Sequence, residues 1–217
     1  MKQILEFLSD LKQNNNREWF NDNRKRYDEA KKTFIAFTEL LINELRTIDP
    51  EIPLLNPKSC VFRIFRDVRF SADKSPYKTN FGTYMSPGGR KSIYAGYYFH
   101  MEPDNCFIGG GCYMPQAPEL KLIREAIYQS PEDYLDITNN KAFKDMFGEV
   151  WGDELKTAPK GFDKEWEHID LIRKKSYVGM RQLDPAILES PDLLDECRKT
   201  YTTLYPLNRF LNDVLKS

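Results

Sequence analysis

The first part of the chain carries apolar residues at helical spacing. Residues 3–13 place an apolar side chain every three or four positions, and a longer stripe of the same kind runs from about Arg17 to Thr47. This spacing puts the apolar side chains on one face of an amphipathic helix. Asn15 followed by Glu18 resembles a helix cap, and Asp49-Pro50 is typical of a helix end. The pattern therefore predicts one short and one long N-terminal helix.

The pattern changes to period two in the middle of the chain. From Phe62 to Phe70 apolar and charged residues alternate, which is typical of a half-buried strand. Three further strand candidates follow at Thr79–Met85, Ser92–Glu102 and Cys106–Tyr113, separated by turn residues, and together they predict an antiparallel meander. Arg66 interrupts the apolar face of the first candidate, so we expect its side chain to be buried and paired with a carboxylate.

Helical spacing returns after Pro115. Ser130-Pro131 and Ser190-Pro191 each resemble a helix start, and Pro206 is expected to interrupt the last helix. The order of helices, strands and helices predicts an α+β fold: a central antiparallel sheet at about residues 60–114, with N-terminal and C-terminal helices packed on it. No repeat or linker divides the chain, so residues 1–217 are predicted to form a single domain.

Composition narrows the class of protein. The 217 residues are 41% apolar and 30% charged, as in a globular chain rather than a disordered one. No stretch approaches the ~20 apolar residues of a membrane-spanning helix, and the N-terminus lacks the apolar core of a signal peptide. The four cysteines include no CxxC pair. These features predict a cytoplasmic protein with free thiols and no membrane partner.

The basic segment, which we define as Phe62–Gly82, is locally positive in a protein that is otherwise near neutral. It holds five basic and two acidic residues, whereas the whole chain has a formal charge of −1. Aromatic residues are interleaved with these charges. Arginine forks match the paired oxygens of phosphate and carboxylate groups. We therefore predict ligand-binding roles for five of its residues: Arg63, Arg66, Arg69, Lys74 and Tyr77.

Four interpretations fit the basic segment. The first is a pocket for an anionic, phosphate-bearing ligand, such as a small metabolite, a nucleotide or a nucleic-acid end. The second is an enzyme, a hydrolase or transferase, in which the arginines stabilise negative charge and Asp67, Asp73 or His100 moves protons. The third is an interaction module that docks an acidic partner. The fourth is a structural network of arginines and acids. A pocket is concave, whereas a docking face is flat and exposed.

A second candidate for chemistry lies on the third predicted strand. Tyr98, His100 and Glu102 alternate along one face, and a histidine beside a carboxylate suits proton transfer. The sequence contains no HExxH, paired-histidine or calcium-loop motif, so we expect no metal and no cofactor. Gly109-Gly110-Gly111 fits no phosphate-loop pattern and is more typical of a bulge or a close backbone approach.

The order Arg63-x-x-Arg66-Asp67-x-Arg69-Phe70-x-x-Asp73-Lys74-x-x-Tyr77 resembles the signature of the bacterial family called domain of unknown function 2461. The similarity extends from Asn16–Phe20 to Ala158–Phe162 and so covers nearly the whole chain. The resemblance implies a fold and a site on the basic segment, but no activity, cofactor or partner. The expected partner is an anionic small molecule or a nucleotide, with nucleic acid as an alternative, and the oligomeric state is left open.

Overall fold

The computed structural model describes residues 1–217, which form nine α-helices and a four-stranded antiparallel sheet. The helices are α1 (Lys2–Gln13), α2 (Arg17–Asp22), α3 (Arg24–Ile48), α4 (Pro57–Cys60), α5 (Ala117–Gln129), α6 (Pro131–Thr138), α7 (Lys141–Phe147), α8 (Ile169–Arg173) and α9 (Leu193–Lys216). The strands, in spatial order, are β1 (Phe81–Met85), β2 (Gly96–Met101), β3 (Phe107–Cys112) and β4 (Tyr177–Gln182). The predicted α+β fold is confirmed.

The residues group into two compact units. Unit 1 consists of Met1–Met85, Tyr98–Ile108 and Gln182–Arg198. Unit 2 consists of Ser86–Tyr97, Gly109–Arg181 and Lys199–Ser217. The single domain proposed from the sequence stays a prediction. No helix is both long enough and apolar enough to cross a membrane.

The core of unit 1 is aromatic. Phe34 of α3 stacks on Phe81 of β1 with ring centroids 5.3 Å apart, and Phe37 meets Phe99 of β2 edge to face at 5.1 Å. All four rings are buried. Helical spacing places the two α3 residues on one side, and strand alternation turns Phe99 towards them. The opposite face of β2 therefore carries the even-numbered residues, including His100.

Unit 2 is held together by close packing of α9 against glycine-rich backbone. A Cβ atom added to Gly110 would lie 2.6 Å from the Leu204 side chain and would also overlap the Gly96 carbonyl oxygen. Nearby, Asn208 Nδ2 donates to that carbonyl at 3.0 Å. The buried Asn212 amide bonds the backbone N and O of Ala95. These amides satisfy backbone groups that would otherwise be buried without partners. The close approach expected at the triple glycine is present.

The predicted strand at Phe62–Phe70 is wrong. Only isolated bridges connect this region to its neighbours, at Val61–Thr83 and Phe65–Tyr77. The basic segment is instead an irregular hairpin. Its two arms lie on either side of an exposed loop, residues 67–75, and are joined by isolated backbone hydrogen bonds rather than by a continuous ladder. Exposed and less exposed residues are mixed along residues 62–70. The resulting pattern of charged and apolar residues resembles that of a half-buried strand.

The predicted helix from Arg17 to Thr47 is interrupted at Asn23, which separates α2 from α3. The cap of α2 lies one residue later than expected, because the Asn16 side chain, not that of Asn15, accepts a hydrogen bond from Trp19 N at 2.9 Å. The Asn15 side chain instead forms hydrogen bonds with the backbone of Tyr77 in the basic segment.

Two further expectations need correction. Pro206 lies inside α9 without ending it. Buried Leu204 and Leu207 anchor the helix on both sides of the proline, so tertiary packing offsets the hydrogen bond that proline cannot make. The sheet also extends beyond residues 60–114, because β4 adds a fourth strand from a region whose sequence showed no clear alternation.

We predict that Gly110→Ala destabilises the protein by roughly 1–3 kcal/mol, because the added methyl group overpacks the contact between β3 and α9. Urea unfolding would measure the change. Lys121→Ala on the exposed side of α5 is the control, with an expected change within about 0.5 kcal/mol. Equal unfolding free energies for the two variants would show that a methyl group fits at residue 110 and that the contact between β3 and α9 is not tightly packed.

Candidate functional site

The base of the basic segment is fixed by Tyr77. Its ring stacks on Phe20 of α2 at a centroid distance of 4.0 Å and an interplanar angle of 14°. The Asn15 side chain accepts from Tyr77 N at 3.1 Å and donates to Tyr77 O at 2.9 Å. Tyr77 is only 5% exposed. The structure therefore places this ring in the core of unit 1, away from the loop surface where its predicted ligand role would put it.

The Arg66 side chain bonds several groups of the loop that follows it in the chain. Its guanidinium forms an ion pair with Asp73 and also donates to Ser75 O at 3.1 Å and Ser71 Oγ at 3.3 Å. The expected carboxylate partner is present. However, the Arg66 side chain is 25% exposed and that of Asp73 is 60% exposed, so the pair is not the buried one expected from an apolar strand face. Arg66 therefore shapes the loop.

Asp73 is held in its charged form by this arrangement. Hydrogen bonds from Ser75, followed by that from Arg66, lower the pKa of Asp73 to about 2. The carboxylate is therefore ionised throughout the physiological pH range. A catalytic base near neutral pH usually needs a raised carboxylate pKa, so Asp73 suits the positioning of Arg66 better than proton transfer.

A second arginine–aspartate pair lies at the tip of the loop. Arg69 donates through Nε to Asp67 Oδ1 at 2.9 Å and through Nη2 to Oδ2 at 2.7 Å, a two-bond fork. These bonds lower the pKa of Asp67. The guanidinium lies 5.7 Å from the ring centroid of Phe70, which is 95% exposed. Lys74 Nζ donates to Val68 O at 3.0 Å and remains exposed.

Arg63 differs from the other two arginines of the basic segment. It is exposed, and its charge helps to lower the pKa of Asp67, but it forms no hydrogen bond or ion pair with that carboxylate. Among the predicted site residues, Arg69 and Lys74 thus lie on the exposed loop, and Arg63, also exposed, precedes that loop in the chain. Arg66 supports the loop from inside.

His100 lies in a hydrogen-bonded chain on the outer face of β2. Its Nδ1 is 2.8 Å from the Tyr98 hydroxyl, and its Nε2 is 3.3 Å from Glu102 Oε2. Thr79, from the basic segment, donates to Glu102 Oε1 at 2.7 Å. Alternation along the strand predicted that Tyr98, His100 and Glu102 share a face. Nothing in the sequence signalled Thr79, which is distant along the chain.

The environment sets the charge state of this chain of residues. Burial lowers the pKa of His100, and the hydrogen bond and charge of Glu102 only partly oppose this. Burial raises the pKa of Glu102, but hydrogen bonds from Thr79, Asn105 and His100 outweigh it, so the net pKa is lowered. At neutral pH the imidazole is therefore neutral and the carboxylate ionised.

A cavity of ≈ 900 Å³ in unit 1 borders this chain of residues, because Glu102 is part of its lining. Its acidic lining residues are Glu6, Asp10, Glu102 and Asp104, and Arg26 pairs with Asp10 at 2.7 Å. The charged residues of the lining are thus mostly acidic, opposite in sign to the pocket expected from the basic segment. The structure contains no group of three or more side chains placed to hold a metal ion.

Comparison with known families identifies the chain. A family model described as "Conserved hypothetical protein (DUF2461)" matches residues 3–210. The protein belongs to this family, as its sequence resemblance indicated. No curated protein and no solved structure matches the chain. The family description names no activity.

We predict that Asp73 titrates with a midpoint near pH 2. Its pKa is lower in the folded than in the unfolded state, so its contribution to stability is present above the unfolded pKa and is lost as the pH falls through the folded value. Carboxyl carbon NMR would follow the titration, and Arg66→Gln should raise the midpoint. A midpoint that does not respond to Arg66→Gln would contradict the pairing.

Proposed function

We propose that the protein binds a phosphate-bearing ligand of the nucleotide class on its basic segment. The observation that carries this proposal is the contrast among the three arginines. Arg66 and Arg69 are each held by an aspartate, whereas Arg63 is exposed and in no ion pair with the nearby Asp67. An arginine fork that is not occupied by a carboxylate is suited to paired phosphate oxygens.

The charge of the segment supports the same proposal. Five cations and two carboxylates leave a local excess of positive charge, although the chain as a whole is slightly acidic. The two aspartates hold Arg66 and Arg69 in place and so reduce the side-chain freedom that ligand binding would otherwise remove. A fixed cluster of cations attracts anions and raises their rate of encounter with the protein.

Phe70 favours a nucleotide over a simple phosphate ester. Its ring is almost fully exposed beside the Arg69 guanidinium. Exposed aromatic rings next to cations are the surfaces on which single-stranded nucleic acids stack their bases. Most residues of the loop are also exposed to solvent. This favours an extended ligand, such as a nucleic-acid end, over a small metabolite enclosed in a pocket.

We also propose a cytoplasmic location. All four cysteines are buried thiols outside any disulfide, and reduced thiols persist in reducing compartments. A different observation, the hydrogen-bonded chain through His100, favours the enzyme interpretation.

We predict that a fluorescent single-stranded oligonucleotide binds the wild-type protein, and that Arg63→Gln weakens binding about tenfold or more, because charge-assisted hydrogen bonds are lost. Fluorescence anisotropy would measure the dissociation constant. The affinity should fall as salt rises, since phosphate contacts release counterions.

The matched control is Arg209→Gln, which removes the same charge from an exposed position on α9. It should bind like the wild type. Competition with inorganic pyrophosphate tests the phosphate contribution, and Phe70→Ala tests stacking. Absence of binding to the wild type, or equal losses in the two arginine variants, would contradict the proposal. Preference for an acidic peptide over every phosphate probe would support the docking alternative instead.

A further inference from the structure

The hydrogen-bonded chain on β2 has the geometry of a proton relay. Tyr98, His100 and Glu102 are joined by two hydrogen bonds, one to each nitrogen of the imidazole ring. A carboxylate can only accept, so Glu102 selects the tautomer in which Nε2 carries the proton. Nδ1 is then an acceptor, and the Tyr98 hydroxyl donates to it. The direction of each hydrogen bond follows from the ionised state of Glu102.

The relay is held in place by its neighbours. Phe107 of β3 stacks on the His100 ring at 4.5 Å and 13°, and Phe62 meets the Tyr98 ring edge to face at 6.2 Å. On the adjacent strand, a Cβ atom at Gly82 would overlap the Tyr98 hydroxyl. The position of this hydroxyl therefore depends on glycine at residue 82.

The relay is connected to the basic segment. Thr79, next to Lys78, donates to Glu102, and Lys78 Nζ lies 5.4 Å from the ring centroid of Phe62, which in turn contacts Tyr98. The proton-accepting chain and the cationic segment thus share one region of unit 1. Glu102 is the charged group that affects the pKa of His100. The rings of Tyr98 and Phe107 contact the His100 ring.

We propose that Tyr98 is a general base for a hydroxyl group or water that accompanies a phosphate-bearing ligand, with His100 and Glu102 as positioning residues. The O–H bond of the hydroxyl breaks and its proton moves to the Tyr98 oxygen. The Tyr98 proton passes at the same time to His100 Nδ1. The imidazolium that forms is paired with Glu102, and the hydroxyl oxygen is left as a nucleophile. The nature of the ligand rests on the proposed function, whereas the relay does not.

The chemical test needs no ligand. N-acetylimidazole acetylates tyrosine: the phenol oxygen attacks the acyl carbon, imidazole leaves, and the phenol proton passes to a base. We expect Tyr98 to react faster than Tyr113, which is 64% exposed but belongs to no such hydrogen-bonded chain. His100→Gln should slow the reaction of Tyr98 at least tenfold and leave that of Tyr113 unchanged. Peptide mass spectrometry would quantify both sites.

The pH profile separates a relay from a merely structural network. Acetylation of Tyr98 should fall at low pH with the midpoint of His100, which lies below the ordinary histidine value, and Glu102→Gln should shift that midpoint. A rate for Tyr98 no greater than that for Tyr113, or one unaffected by His100→Gln, would overturn the proposal.

Nitrogen NMR provides a second measurement, which does not depend on access of the reagent to Tyr98. The chain has two histidines, so His168→Gln assigns the signals. His100 should be the neutral Nε2–H tautomer at pH 7, and both Tyr98→Phe and Gly82→Ala should shift its Nδ1 resonance. The Nδ1–H tautomer, or no response to Tyr98→Phe, would overturn the relay. Loss of oligonucleotide binding with a reactive Tyr98 would instead refute only the proposed function.

Discussion

The position of the basic segment depends on the contacts that hold Tyr77. Its ring stacks on Phe20, and the Asn15 side chain bonds both polar groups of its backbone. Asn15 acts here like a neighbouring strand, since it supplies one donor and one acceptor to the same residue. This contact ties one arm of the basic segment to the junction of α1 and α2. The exposed loop before Tyr77 and Thr79 after it are both positioned as a result.

Charge pairing then distinguishes the arginines that support the loop from the one to which we assign the proposed binding. Arg66 is bound by Asp73 and by loop oxygens, so it maintains the turn of the chain. Arg69 is paired at the surface, where such pairs contribute little to stability but restrict side-chain motion. Arg63 is exposed and in no ion pair with Asp67. Arg66 and Arg69 therefore support the loop, and Arg63 is the arginine on which the proposed anion binding depends.

Much of the fold, and part of the candidate site, could be predicted from the sequence. Periodicity located the N-terminal helices and the sheet, and alternation placed Tyr98, His100 and Glu102 on one face. The strand at Phe62–Phe70 could not be judged correctly, because an exposed hairpin and a half-buried strand show the same alternation. The core position of Tyr77 was also missed, since it depends on a tertiary contact with Phe20 that local spacing does not encode.

The most direct test of the account is an amide NMR map of the protein titrated with a short single-stranded oligonucleotide. We expect the largest shifts at Arg63 and in the loop residues 67–75, with a smaller response at Thr79 and His100. Amides of α9 should stay unchanged. Shifts concentrated at Glu6, Asp10 and Arg26 of the cavity, or spread over unit 2 without the basic segment, would contradict the claim that this segment is the binding site.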